Sequence, residues 1–162
     1  MAKINGIEGK GVGNMIAGNM YFYKYIAEDD NEFYDMFPLV FILKRRASLY
    51  EGINLHYLDI TRRKELLDLL LQFMDTNVIE TKTRLRVKVL RKILLVSRKY
   101  KQAKVSFHRY QKRNIRSTII KVDPNNWSSI ILEPVELFKI PKKGKMPSAK
   151  VWRKTLIESR KR

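Results

Sequence analysis

The chain has 162 residues, enough for one domain with a real core or a core plus a tail, and its 44% hydrophobic content excludes a disordered chain. Its 34 Lys and Arg against 16 Asp and Glu give a net charge of +18, which points to nucleic acid, an anionic membrane or an acidic protein surface as partner. There is no cysteine, so disulfides and thiolate metal sites are excluded.

Residues 1–19 carry Gly6, Gly9, Gly11, Gly13 and Gly18 and read as a flexible arm. Gly9-x-Gly11-x-Gly13 is not a phosphate loop, because no strand precedes it and the third glycine of the fingerprint is missing. The arm lacks the apolar core of a signal peptide, and no window of the chain approaches the roughly 20 apolar residues of a membrane span, so the protein is read as soluble.

Residues 20–25 are aromatic and strand-like, and residues 28–35 form an acidic connection. Residues 38–43 are a short apolar run, read as a buried strand. Residues 49–58 alternate, with Ile53, Leu55 and Tyr57 on one face, His56 facing the other, and Gly52 marking a bulge or sharp bend. Three strands in a row suggest an antiparallel meander, part of a small sheet or barrel.

The period then changes. Asp59 or Thr61 caps a helix beginning around Arg62, in which Leu66, Leu67, Leu69, Leu70, Phe73 and Met74 form a core stripe. Thr81 or Thr83 caps a second helix running to about Lys101, with Leu85, Val89, Ile93 and Leu94 on its buried side. Residues 106–115 are ambiguous, with a short helix one reading. Residues 117–122 return to β character, residues 123–126 are a turn, and residues 127–138 are apolar but interrupted by Pro134. Residues 139–162 contain Pro141, Gly144 and Pro147 and read as an extended basic arm, with a short helix from Ser148 as a variant.

Charge is blocked along the chain. Residues 1–60 are slightly acidic, whereas residues 81–122 hold 15 basic side chains and no acid. Residues 139–162 hold 10 more basic residues against Glu158. A solvated face normally mixes signs, so the acid-free block reads as a polyanion-binding surface. Its candidates are Arg84, Lys88, Arg91, Lys92, Arg98, Lys99, Lys101, Lys104, Arg109, Lys112 and Arg113. A second set, Lys142, Lys143, Lys145, Lys150, Trp152, Arg153 and Lys154, forms a partner-binding arm. With no zinc-finger, basic-zipper or RRM signature, the expected ligand is double-stranded DNA contacted at its phosphates, independent of sequence.

No catalytic set emerges. His56 and His108 lack a base–orienter arrangement, and the acidic cluster Glu28, Asp29, Asp30, Glu32 and Asp35 has neither the glycine nor the terminal glutamate of a calcium loop. Glu133 and Glu136 around Pro134 are too loose for a nuclease motif. The chain is expected to be no enzyme, with no cofactor, no metal, no membrane contact and no small-molecule substrate.

The segments Phe33-Tyr34-Asp35-Met36-Phe37-Pro38-Leu39-Val40 and Gly52-Ile53-Asn54-Leu55-His56-Tyr57-Leu58 precede a Leu-rich helix. Pro124-x-x-Trp127, Pro134-Val135-Glu136-Leu137-Phe138 and a basic tail around Val151-Trp152-Arg153-Lys154 and Ser159-Arg160-Lys161 follow. Over residues 20–160 this pattern resembles a family of small virion proteins of contractile-tailed phages labelled DNA end protectors or head-completion proteins. The resemblance implies binding near the terminus of packaged DNA at the head–tail (portal or neck) interface, within a ring or other multi-subunit assembly of virion subunits put together in the bacterial host cytoplasm. A structural tail or baseplate subunit, its basic arms on acidic neighbours, is the alternative. Asn54, His56 and Tyr57 take a packing and hydrogen-bond role in preference to a functional one. The expected architecture is α+β: a small antiparallel sheet or SH3-like barrel within a domain at residues 20–138, a two-helix basic insertion at about 61–114, and extended arms at 1–19 and 139–162.

Overall fold

The computed structural model describes residues 1–28, 33–74 and 80–161, without the side chains of Met74 and residues 80–84. Its strands are β1 (Ala2–Ile4), β2 (Ile7–Val12), β3 (Met20–Phe22), β4 (Tyr34–Asp35), β5 (Leu39–Arg45), β6 (Leu49–Asn54), β7 (Phe107–Gln111), β8 (Ile119–Val122), β9 (Phe138–Ile140) and β10 (Gly144–Met146). Its α-helices are α1 (Ile60–Met74), α2 (Glu80–Val96), α3 (Lys101–Val105), α4 (Trp127–Ile130) and α5 (Ser148–Lys161). Among the described residues a seven-stranded sheet runs β1-β2-β8-β3-β5-β6-β7 and a three-stranded one runs β10-β9-β4, and their pairings are antiparallel. The fold is α+β, and the larger sheet is open, with β1 and β7 as its edges, so the barrel alternative falls.

The central strands of the larger sheet are buried on both faces, which explains why residues 20–23 and 39–43 are apolar without gaps. Met20, Phe22, Leu39, Phe41 and Ile53 point to the helical side, where Leu66, Leu67 and Leu70 of α1 and Val87, Leu90 and Leu94 of α2 complete the core. Tyr21, Tyr23, Val40, Ile42, Tyr50 and Tyr110 form a second, tyrosine-rich layer. There the Tyr110 ring meets Tyr23 and Tyr25 edge to face, at 5.9 and 5.0 Å. A third cluster, Tyr57, Phe138, Met146 and Val151, joins the small sheet to α5.

Several expectations are corrected. The glycine-rich N-terminal segment is a hairpin, not a flexible arm. Asn5 (φ 47°) and Gly6 (φ 85°) make a two-residue turn in the left-handed region, with Ile4 facing Ile7, and β2 pairs with β8. At Gly9 a Cβ would stand 2.5 Å from Ile120 Cγ2, so this glycine serves close strand packing. Strand β6 stops at Asn54, and Leu55–Tyr57 forms a 3₁₀ turn, so the alternation read through residue 58 ends early. The turn arises because Asn54 Oδ1 accepts the backbone N–H of His56 at 3.0 Å, which bends the chain out of the ladder. Asp59 caps α1, accepting from Arg62 N at 3.0 Å, and Thr61 lies inside the helix. Helix α2 already includes Thr81 and Thr83, so neither is its cap. Residues 107–111 are strand β7, so the helical stretch between β6 and β7 ends at Val105. The apolar run from Trp127 opens with the helical turn α4, where Trp127 Nε1 donates to Val122 O at 3.0 Å.

The C-terminal segment is not extended either. After the β9–β10 hairpin, α5 packs on α3 and on the 3₁₀ turn after β6, burying Val151 and donating from Trp152 Nε1 to His56 O at 2.8 Å. That carbonyl also accepts from Arg63, which is 1% exposed and bonds Leu58 O and Ile131 O as well.

Asp35, read as part of a solvated acidic connection, is 2% exposed on β4. Its Oδ2 accepts from His56 Nδ1 at 2.8 Å and Asn54 Nδ2 at 3.0 Å, while Oδ1 accepts the backbone N–H groups of Phe37 and Leu137. His56 therefore faces inward on a carboxylate and does not point away from the core. Asp29, Asp30 and Glu32 of the same cluster lie outside the described residues. Asp35→Ala orphans four donors, and denaturant unfolding is expected to show a loss of about 3–5 kcal/mol, against less than about 0.5 for Lys64→Ala on the exposed face of α1. Gly52 marks a bulge as expected, but the extra residue, Leu43, lies on the facing strand between Ile42 and Lys44. A Cβ at Gly52 would come within 2.5 Å of both Phe41 O and Val40 Cγ1, so Gly52→Ala is expected to cost about 1–3 kcal/mol in the same assay.

Candidate nucleic-acid interface

Helix α2 carries apolar residues on two sides, and of the four expected on its buried side only Leu94 is fully buried. Val87, Leu90 and Leu94 are buried, whereas Leu85 and Val89, expected on the buried side, are 64% and 46% exposed. The opposite, outward face therefore carries Leu85, Lys88, Val89, Lys92 and Val96 at helical spacing, with the cations interleaved among apolar side chains. Between this face, the end of β5 and the loop at Ile16 lies a groove of about 650 Å³. Lys44, Arg45, Lys88, Arg91 and Lys92 line it, and no acidic side chain among the described residues does.

Beside the groove sits Glu51, whose side chain has no exposure at all. Its Oε1 accepts from Arg46 Nε at 3.0 Å and Arg109 Nε at 3.1 Å, and its Oε2 from an Arg91 terminal nitrogen at 3.4 Å. Strand register produces this cluster, because Glu51 on β6 stands directly opposite Arg109 on β7. Arg91 reaches in from α2 and Arg46 from the turn after β5. Arg91 and Arg109 each lie 6.0 Å from the centre of the Phe107 ring. One carboxylate thus holds three guanidiniums together that would otherwise repel, with Arg109 63% and Arg46 47% exposed on the outer side. Burial pushes the Glu51 pKa up, but the hydrogen bonds and charges of Arg109, Arg46 and Arg91 outweigh this and hold it below its ordinary value.

The remaining candidates do not converge on this place. Arg84 has its side chain outside the described residues. Arg98, Lys99, Lys101 and Lys104 follow the C-terminus of α2, where the Lys99 ammonium lies over Tyr100 at 5.4 Å. Lys112 lies over the Tyr50 ring at 4.9 Å, and Arg113 pairs with Glu28 at 3.4 Å. In the C-terminal set, Lys142, Lys143 and Lys145 are exposed on the β9–β10 hairpin and Lys150 and Arg153 on α5. Lys154 stands over the Phe33 ring at 5.6 Å. Trp152, read as a partner contact, is instead anchored inward on His56 O, with Arg63 5.3 Å from its ring centre.

His108 adds no charge to the basic block. It stacks on Tyr57 at 4.1 Å, its Nε2 is shut off from solvent, and burial pushes its pKa down to about 4 against the pull of Asp35, so it is neutral at pH 7. Among the described residues no group of three or more His, Asp or Glu could hold a metal ion, and no helix is long and apolar enough to cross a membrane. Sequence reasoning missed Lys44, Arg45 and Arg46, since they lie in the net-acidic first third of the chain. The available signal was their position as three consecutive cations ending an apolar strand.

A carboxylate whose pKa is lowered on folding adds stability above its unfolded value, and that stability is lost as pH falls through the folded pKa. Glu51→Gln is therefore expected to cost about 1.5–3 kcal/mol at pH 7. The deficit should shrink as pH falls below the ordinary carboxylate value of about 4.3, where the unfolded chain takes up the proton first, and vanish once the folded carboxyl is protonated too. Urea unfolding of both proteins at pH 7 and pH 3 checks this, and an equal deficit at the two values would refute it.

No curated protein and no solved structure matches the chain. A family model does match, over residues 2–155, and so takes in the N-terminal hairpin, both sheets and the first half of α5. With that match, and with the Asp35–Asn54–His56 motif at the heart of the fold, the chain belongs to the phage T4 terminal DNA protecting protein family.

Proposed function

We propose that this protein is a non-enzymatic virion protein that binds duplex DNA through its phosphates and protects the genome's end at the head–tail interface. The carrying observation is one basic side of the molecule. Lys44, Arg45, Lys88 and Lys92 rim the groove beside α2, and Arg46, Arg91 and Arg109 are clustered next to it on Glu51. A single buried carboxylate orders three of these cations and leaves most of their charge for an outside anion. Contacts of this kind neutralise phosphates and release counterions without reading bases. The family supports the DNA terminus as the place where this happens. Binding as part of a ring or other assembly of virion subunits, put together in the host cytoplasm, completes the reading.

A second reading rests on the other basic surface. Lys142, Lys143, Lys145, Lys150 and Arg153 are exposed on the β9–β10 hairpin and α5, and they suit an acidic neighbouring subunit of a tail or baseplate. Fluorescence anisotropy with a linear duplex across a salt series separates the two. The DNA reading expects a steep negative log–log slope, reduced by about 0.9 for each phosphate contact removed in Lys88→Glu or Lys92→Glu. Lys142→Glu and Lys143→Glu should leave it unchanged. Absence of binding at low salt would refute the DNA reading and favour the tail subunit.

A further inference from the structure

We propose that the groove between α2 and the end of β5 is the part of this surface that tells a DNA end from the interior of a duplex, by seating the terminal nucleotides. The inference rests on the DNA reading above and adds to it a division of labour between two kinds of side chain.

A surface that binds only the phosphodiester backbone cannot recognise an end, because the same diester repeats along the whole duplex. An end differs in its terminal phosphate monoester or hydroxyl and in its last base. Inside a duplex every base is stacked on both faces. At an end the last pair has one bare face and frays readily. A site that distinguishes the two needs apolar surface beside its cations.

The groove has that combination. Ile16, Leu85 and Val89 are 50%, 64% and 46% exposed, and all three line it. Large aliphatic side chains left in water cost free energy unless something covers them, and they stand here without any contribution to the core. Aliphatic side chains such as Ile and Leu are among those that proteins wedge against unstacked bases. On either side stand Lys44 and Arg45 from β5 and Lys88 and Lys92 from α2, within reach of the phosphates of a nucleotide lying between them. The charged side chains of the lining are all cationic among the described residues, which favours an anionic occupant over a basic or neutral one. The volume, about 650 Å³, falls in the range of small-ligand sites and is far below what a duplex cross-section would need. The occupant is therefore the last nucleotides of a strand, with the duplex behind them resting on the Arg46, Arg91 and Arg109 cluster.

The test uses the full chain and a blunt linear duplex carrying 2-aminopurine either at its terminal position or in its interior, with covalently closed circular DNA as competitor. In the wild-type protein the terminal probe should change its fluorescence on binding and the interior probe should not. Leu85→Ser combined with Val89→Ser changes two exposed positions, and thermal unfolding confirms that the fold is kept. This variant should lose about tenfold in preference for ends over closed circles, the scale of one base contact. Its affinity for closed circles and its salt slope should stay unchanged. Lys88→Glu with Lys92→Glu should weaken both substrates together. If the apolar variant keeps the wild-type end preference and the terminal probe's response, the groove is not the end reader, even though DNA binding stands. If the wild-type protein binds no DNA, the functional reading falls and the inference falls with it. If an acidic peptide displaces nothing while DNA ends do, the nucleotide assignment holds; displacement by the peptide alone overturns it.

Discussion

The carboxylate of Asp35 accepts four hydrogen bonds, and the donors come from three separate parts of the chain. Asn54 ends β6 and His56 lies in the 3₁₀ turn after it, Phe37 follows β4, and Leu137 leads into β9. Buried carboxylates are tolerable only when their lone pairs are met in this way. Once they are met, the small sheet, the 3₁₀ turn and the end of the large sheet are held in one arrangement. The consequences run outward from there. The turn places His56 O where both Arg63 of α1 and Trp152 of α5 donate to it. Helices α1 and α5 are thereby docked on a polar centre as well as on an apolar one. The motif that carries the family resemblance is thus an internal scaffold.

Glu51 plays the corresponding part at the surface. It lies on the same strand as Asn54, three residues earlier, and gathers its arginines from α2, β7 and the turn after β5. A basic surface of +18 protein would ordinarily splay its side chains apart. A fixed anion beneath them keeps three guanidiniums adjacent and leaves the outer ones facing solvent. This is preorganisation, since the repulsion has been offset before a polyanion arrives. The lysines at the groove keep their freedom and act as individual charges, whereas the arginines act as a fixed plate.

Most of the element positions were legible from local pattern. The aromatic and apolar runs that became β3 and β5 and the Leu-rich stretch that became α1 carry strong periodicity or its informative absence. The Asn5-Gly6 hairpin signal was also legible, but the surrounding glycines suggest flexibility when neighbours are not considered. Only the approach of Ile120 to Gly9 gives that glycine a packing reason. The C-terminal arm was misread for a related cause. Its helix contains five basic residues and little continuous apolar surface, and its Trp152 is anchored on His56 O, 96 positions away in the sequence.

Sequence by itself determined the charge of +18 and its segregation into blocks, the absence of cysteine, the α+β character and the family motifs, because each of these is a property of composition or of short-range order. It could not decide which stripe of α2 faces the core. Leu85 and Val89 are as well spaced as Val87, Leu90 and Leu94, and only the position of the sheet beneath the helix chose between them. Nor could it decide which cations are held and which are free to meet an anion. Arg109 stands opposite Glu51 through the pairing of strands 58 residues apart, and Arg91 arrives from a helix 40 residues away. Contacts of that range leave no periodic trace in the chain, so the shape of the binding surface belongs to the tertiary structure alone.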